Sequence, residues 1–146
     1  MRPRDPQPPP VSFAFVGRTR DGGRVAAKDA VGRYGERVAV GYLTALGMQL
    51  IDRNWRCPAG EIDAILRDGD TIVFVEVKAR EGRAFGTPAE AVSTAKQRRI
   101  AQLAMMFLTR NRLVNCRCRF DVVSVDVGPA APIVQVFQNA FDAAAS

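Results

Sequence analysis

Between residues 26 and 46 the apolar positions recur at helical spacing: Val31, Tyr34, Val38, Tyr42 and Leu46 share one broad face, and Gly47 is placed to end it. The period then changes. "MQLIDRNWR" (48–56) reads as a strand, Pro58-Ala59-Gly60 as a turn, and "EIDAILR" (61–67) alternates as a second strand. "DGD" (68–70) is a hairpin signal leading into a third strand, "TIVFVEVKAR" (71–80), and "EGRAFG" (81–86) is a loop. In "TPAE" (87–90) Thr87, Pro88 and Glu90 supply the N-cap, first-turn proline and N3 acid of a second helix, predicted to run to about Arg112. "RFDVVSVDV" (119–127) and "PIVQVFQ" (132–138) read as two more strands. The order α-β-β-β-α-β-β predicts an α/β fold with a mixed central sheet flanked by helices.

Residues 1–24 are rich in Pro, Arg and Gly without periodicity and are expected to form a disordered basic arm. The folded domain is expected over 25–140, with 141–146 a flexible tail. At 146 residues, 47% hydrophobic and 25% charged, the chain has the make-up of one soluble domain. No apolar run approaches the ~18 residues of a membrane span. "MRPRDPQPPP" lacks the apolar stretch of a secretory signal, so the expected location is the cytoplasm, away from membranes.

Charge and reactive side chains narrow the chemistry. The net charge of +6 is uneven: residues 1–25 carry +3, 26–86 balance, and 87–146 carry +3. Basic ends around a carboxylate-rich middle suit a polyanionic partner. Cys57, Cys116 and Cys118 have no disulfide-framework spacing and are expected to be reduced, half-buried thiols. There is no histidine, which excludes Ser-His-Asp and Cys-His catalysis and all imidazole metal ligands.

The stretch "FVEVKAR" (74–80) is where the pattern breaks. Glu76 and Lys78, two apart, project from one side of the third strand, while Val73, Val75, Val77 and Ala79 keep the other side apolar. Across the hairpin lies Asp63. A loop with an even number of residues puts Asp63 on the same face as Glu76, with Glu61 beside them; a three-residue loop puts it on the opposite face. In the first case the carboxylates crowd: two unit charges about 4 Å apart repel by roughly 4 kcal/mol at an effective dielectric near 20. A divalent cation removes that repulsion, and oxygen ligands without imidazole favour Mg²⁺ or Mn²⁺. Asp63, Glu76 and the backbone carbonyl of Val77 can hold such an ion, with Lys78 placed to orient or deprotonate an attacking water. That chemistry hydrolyses phosphodiesters.

The spacing D-x₁₂-E-x-K resembles the metal-dependent nuclease signature of the restriction-endonuclease-like superfamily, here Asp63…Glu76-Val77-Lys78. "GERVAVGYLTALG" (35–47), "RNWR" (53–56), "GEID" (60–63), "FVEVKAR" (74–80), "FGTPAEAV" (85–92), "KQRR" (96–99) and "RFDVVSV" (119–125) occur together and in order. Over about residues 28–126 this set resembles the YraN-like family of small, mostly bacterial proteins, inferred to be nucleases from their likeness to archaeal Holliday junction resolvases. The resemblance implies a restriction-endonuclease-like fold and an endonuclease acting on branched or otherwise structured DNA. It implies Asp63 and Glu76 as metal ligands, Lys78 as the catalytic lysine, and Glu36 as the upstream glutamate of the site. By analogy with symmetric junction cutters it also implies a two-fold homodimer.

Other residues fall around this set. Lys96 sits within the predicted apolar stripe Val92, Ile100, Leu103 and Phe107, where it either snorkels or reaches the site. Gln97, Arg98 and Arg99 are expected to turn outward and, with Arg56, to contact a nucleic-acid backbone. Trp55 is expected at the core edge, Arg119 and Asp121 as a structural pair, and Met105 and Met106 as core fillers. The alternative to an enzyme is a nuclease-like fold that binds nucleic acid without cutting it.

Overall fold

The computed structural model describes residues 27–82 and 92–142. The elements follow the expected order: α1 (Ala27–Ala45), β1 (Gln49–Cys57), β2 (Gly60–Asp68), β3 (Thr71–Glu81), α2 (Thr94–Arg110), β4 (Arg117–Val127) and β5 (Ile133–Phe141). The strands form one mixed sheet in the order β1-β2-β3-β4-β5. All neighbours are antiparallel except β3 and β4, which run parallel. A parallel neighbour needs a long crossover, and the connection containing α2 supplies it.

Each face of the sheet has its own core. Val38, Ala39, Tyr42 and Leu43 of α1 pack on Ala64, Leu66, Val73, Val75, Val123 and Val125. On the other face Ile100, Leu103, Ala104 and Phe107 of α2 cover Ile65, Ile72, Phe74, Phe120 and Val122. Trp55 closes the edge of that second core, its ring edge-on to Phe107 at 5.6 Å, as the sequence suggests. Gly35 sets how closely α1 approaches the sheet, because a Cβ there would overlap that of Ala79 on β3. The hairpin between β2 and β3 is tight: Asp68 pairs with Thr71, so the loop is Gly69-Asp70, with Gly69 at φ 62°. Glycine at the first central position is the type II′ solution.

The second helix departs from expectation at its start. Thr87, Pro88 and Glu90 lie outside the described residues, but Val92 and Ser93 are non-helical and α2 begins at Thr94. Ser93 is the cap: its backbone is extended, at φ −62° and ψ 156°, and its Oγ accepts the Lys96 amide at 3.2 Å. Val92 remains buried in the α2-side core without belonging to the helix, which is why its apolar character fits a helical stripe. The C-terminus comes at Arg110, with Asn111 as cap, rather than at Arg112.

Smaller corrections follow from burial. Met105 is exposed on the outer face of α2, while Met106 packs against the core. Cys57 and Cys116 are half-buried free thiols as expected, and Cys118 is exposed. Phe141, expected in the tail, ends β5 and stacks on Phe120 at 4.9 Å. The arm at 1–24 lies outside the described residues, as do 143–146. Among the described residues no helix is long and apolar enough to cross a membrane.

Candidate functional site: a carboxylate cluster where two strands part

The β2–β3 ladder ends at Ala64↔Val75 although both strands continue. The next facing residues in that register are Asp63 and Glu76, and the two-residue loop therefore puts them on the same side. Here a side chain replaces the ladder: Asp63 Oδ2 accepts the Val77 N–H at 2.9 Å. One strand residue's N–H and C=O point the same way, so the Val77 carbonyl opens towards the same gap.

Strand geometry is irregular at this point. Asn54 on β1 has φ 52° and lies between the pairs Arg53↔Ala64 and Trp55↔Ile62. Asparagine tolerates this left-handed backbone better than most residues. Ile62 and Ile65 both face α2 while Ala64 and Leu66 face α1, so the alternation of β2 fails at Asp63 itself. Asp63 sits at this break, its carboxylate in the gap on the Val77 N–H.

Both helices contribute from their own faces. From α1, next to the tightly packed Gly35, Glu36 brings a carboxylate oxygen within 4.8 Å of oxygens on Glu61 and Asp63. The Asn54 side chain hydrogen-bonds Glu36, and Arg53 is close enough to favour its charge. From the first turn of α2, Lys96 ion-pairs through Nζ with Glu76 Oε1. Lys78 Nζ stands 4.0 Å from the same oxygen. Glu76 is 7% exposed, an unusual burial for a carboxylate.

Electrostatics follow from this crowding. Burial, reinforced by the negative charge of Glu76 and then Glu36, pushes the Asp63 carboxyl up to about 8, against the opposing hydrogen bond from Val77. Burial also raises Glu36, helped by Glu61. Lys78 is lowered by burial and then by the neighbouring ammonium of Lys96. For Lys96 burial acts downward, but the hydrogen bond and charge of Glu76 outweigh it and the net movement is upward.

Asp63, Glu76, Lys78 and Glu36 thus lie at one place, the first three as the even-loop alternative expects and Glu36 where the family resemblance implies, and Lys96 reaches it. Lys96 does so from the first turn of α2 and not from deep within a helix, because the helix starts at Thr94. Gln97 is half-buried and donates through Nε2 to the Val92 carbonyl at 2.9 Å, so it secures the helix start instead of turning outward. Arg98 and Arg99 are exposed. Arg56 is exposed too, with its Nε 3.1 Å from Glu61 Oε2. Sequence reasoning missed the parts played by Asn54 and Arg53 and placed Glu61 only beside the cluster. The available signal was the "RNWR" and "GEID" segments facing each other on β1 and β2.

Arg119 and Asp121 form the structural pair expected of them. Arg119 Nε lies 3.1 Å from each oxygen of the fully buried Asp121, and its Nη2 reaches Asp68 at 2.9 Å.

The sequence matches the uncharacterised protein family UPF0102 over residues 35–125, which takes in every segment of the site. A UPF0102 protein of Symbiobacterium thermophilum is 52% identical over 114 residues, covering 77% of this chain and 97% of the relative. Another, of Beutenbergia cavernae, is 52% identical over 99 residues, covering 68% and 84%. A third, of Rhodococcus opacus, is 49% identical over 113 residues, covering 77% and 96%. With these relatives matched along nearly their whole length and the ordered motifs in place, the chain belongs to the UPF0102 family, the YraN-like proteins.

Proposed function

We propose that the protein is a metal-dependent endonuclease that hydrolyses phosphodiester bonds in DNA, with branched or otherwise structured DNA as its substrate. The observation that supports this most is the meeting of Glu36, Asp63 and Glu76 with Lys78 where β2 and β3 part. The lysines offset the charge of Glu76, but Asp63 and Glu36 stay raised by burial and neighbouring acids, a cost that a purely structural cluster would not favour.

The donor set suits a hard divalent cation. All donors are oxygens, and Asp63 is held up at about 8 by burial and Glu76, a penalty that a bound cation would relieve. Asp63, Glu76, the Val77 carbonyl and Glu36 would hold Mg²⁺ or Mn²⁺. When bound, such an ion lowers the pKa of water and offsets charge developing on the phosphate.

The remaining work belongs to the side chains. Lys78, lowered by burial and Lys96, is suited to take a proton from water as its oxygen attacks phosphorus. It would act as the neutral amine, beside Glu76 Oε1 at 4.0 Å, while the P–O bond to the leaving ribose oxygen breaks and that oxygen is protonated from solvent. The exposed Arg98 and Arg99, with Arg56, offer phosphate contacts that position the nucleic acid.

The test is cleavage of four-way junction, flap, single-stranded and duplex DNA in Mg²⁺ or Mn²⁺, with binding followed in parallel and Glu76→Ala as control. Metal-dependent cutting, fastest on a branched substrate and absent in Glu76→Ala, is the expected result. Salt-sensitive binding with no cutting of any substrate would replace the enzyme with a non-catalytic nucleic-acid-binding module.

A further inference from the structure

The two lysines of the site are not equivalent, and the sequence around Lys96 is unusual for a helix start. Ser93 caps α2, so Lys96 occupies the N3 position. Glutamate or glutamine there would complete a capping box, and the positive end of the helix dipole favours an acid. The first turn of α2 instead holds no acidic residue and one ammonium. What repays that placement is Glu76, the most buried carboxylate of the site, which Lys96 meets directly while Lys78 stands off at 4.0 Å.

Charge is sorted across the gap. Glu36, Glu61 and Asp63 crowd on one side with their oxygens within 4.8 Å, while the carboxylate that faces them is capped by a lysine. A divalent ion shared by Asp63 and Glu76 therefore meets a cation already in place. Lys78 rises from the middle of β3 and its side chain is 24% exposed, so it has little room to move. Lys96 is 42% exposed, on a flexible stem at a helix end, and can swing towards solvent without unfolding anything.

We infer that Lys96 is a built-in counter-ion of the carboxylate site, which occupies Glu76 until a divalent cation displaces it and then turns to a phosphate of the bound nucleic acid. This rests on the metal-dependent reading above. Lys96 keeps the buried carboxylate neutralised in the metal-free protein, weakens metal uptake, and returns that cost as a phosphate contact once the ion and nucleic acid are both present.

The experiment is calorimetric titration of Mn²⁺ into the full chain and into Lys96→Met, Lys96→Gln, Lys96→Arg and Lys78→Met, with four-way-junction binding measured in Ca²⁺. Lys96→Met and Lys96→Gln should bind Mn²⁺ about tenfold more tightly, the scale of one partly screened unit charge. Lys96→Arg should stay near the native value. Junction affinity should fall severalfold in Met and Gln and be held by Arg, a split that a merely structural lysine would not produce. The Met variant fills the same volume, and Gln keeps a polar tip, so a folding defect in one leaves the other to decide. Unchanged or weaker Mn²⁺ binding in the folded Met or Gln variant overturns the counter-ion role alone. No Mn²⁺ uptake by any chain, native included, overturns the metal-dependent reading as well.

Discussion

One fully buried aspartate and one half-buried aspartate lie in this sheet, and their surroundings are opposite. Asp121 on β4 is met by Arg119 on both oxygens and by the Asn139 N–H at 2.9 Å, and Arg119 also holds Asp68. Asp63 on β2 accepts the Val77 N–H and has three glutamates close by. Burial raises the carboxyl of both, but at Asp121 the arginine and the Asn139 amide pull back, whereas at Asp63 the neighbouring acids push further. The contrast separates two uses of a buried charge. One is neutralised within the chain and ties β2, β4 and β5 together; the other, on the metal-dependent reading proposed above, is left for a cation from outside.

The sharpest way to break the comparison is to neutralise each aspartate. Asp63→Asn keeps an oxygen for the Val77 N–H but removes the charge; cleavage should drop by a factor of about 10³ or more, equivalent to roughly 4 kcal/mol in the barrier. Undiminished cutting would remove Asp63 from the site. Arg119→Ala should do the reverse. It takes the ion partner from the fully buried Asp121 and should cost about 3 kcal/mol in urea unfolding while Mn²⁺ affinity stays unchanged. A loss below about 1 kcal/mol would mean that the pair contributes no more than a surface ion pair.

The pH dependence of the metal-free protein has a definite sign. Asp63 is near 8 when folded and near 3.9 when unfolded, so the folded state holds its proton more tightly between those values. Its contribution is greatest below the unfolded value and is lost as pH rises through about 8. Native protein should therefore melt at lower temperature at pH 9 than at pH 6, and Asp63→Asn should be more stable than native by about 2 kcal/mol at pH 9. Added Mn²⁺ should reverse that order by stabilising the native chain only. Identical melting of both proteins at pH 9 would argue that Asp63 is better solvated than its burial implies. The smallest effect belongs to Ser93→Ala, which should destabilise by about 1 kcal/mol through the lost cap and loosen Lys96 without removing it.

The shared face of Asp63 and Glu76 is legible in the sequence only as one of two alternatives set by loop parity, and the two-residue loop Gly69-Asp70 selects it. The start of α2 is not legible. "TPAE" carries the usual signals of a helix N-terminus, whereas Ser93 is followed at N3 by a lysine and not an acid, so the cap at Ser93 shows only in three dimensions. The closeness of Asn54 and Glu61 to Glu36 is hidden for a different reason. Their approach to Glu36 comes from a left-handed residue in β1, a local violation of strand geometry that regular alternation cannot anticipate.

The order of the sheet also bears on how the chain reaches its folded state. Asp68 meets Thr71 across a two-residue loop, whereas Thr71 must find Arg117 far along the chain. Loop-closure entropy favours the hairpin first and the parallel ladder late. Asp63, Glu76 and Lys78 all belong to that hairpin, so acid and amine are expected to meet before either helix docks. Substitutions at Ile65 or Val73 should then slow refolding, and those at Val123 should mainly speed unfolding.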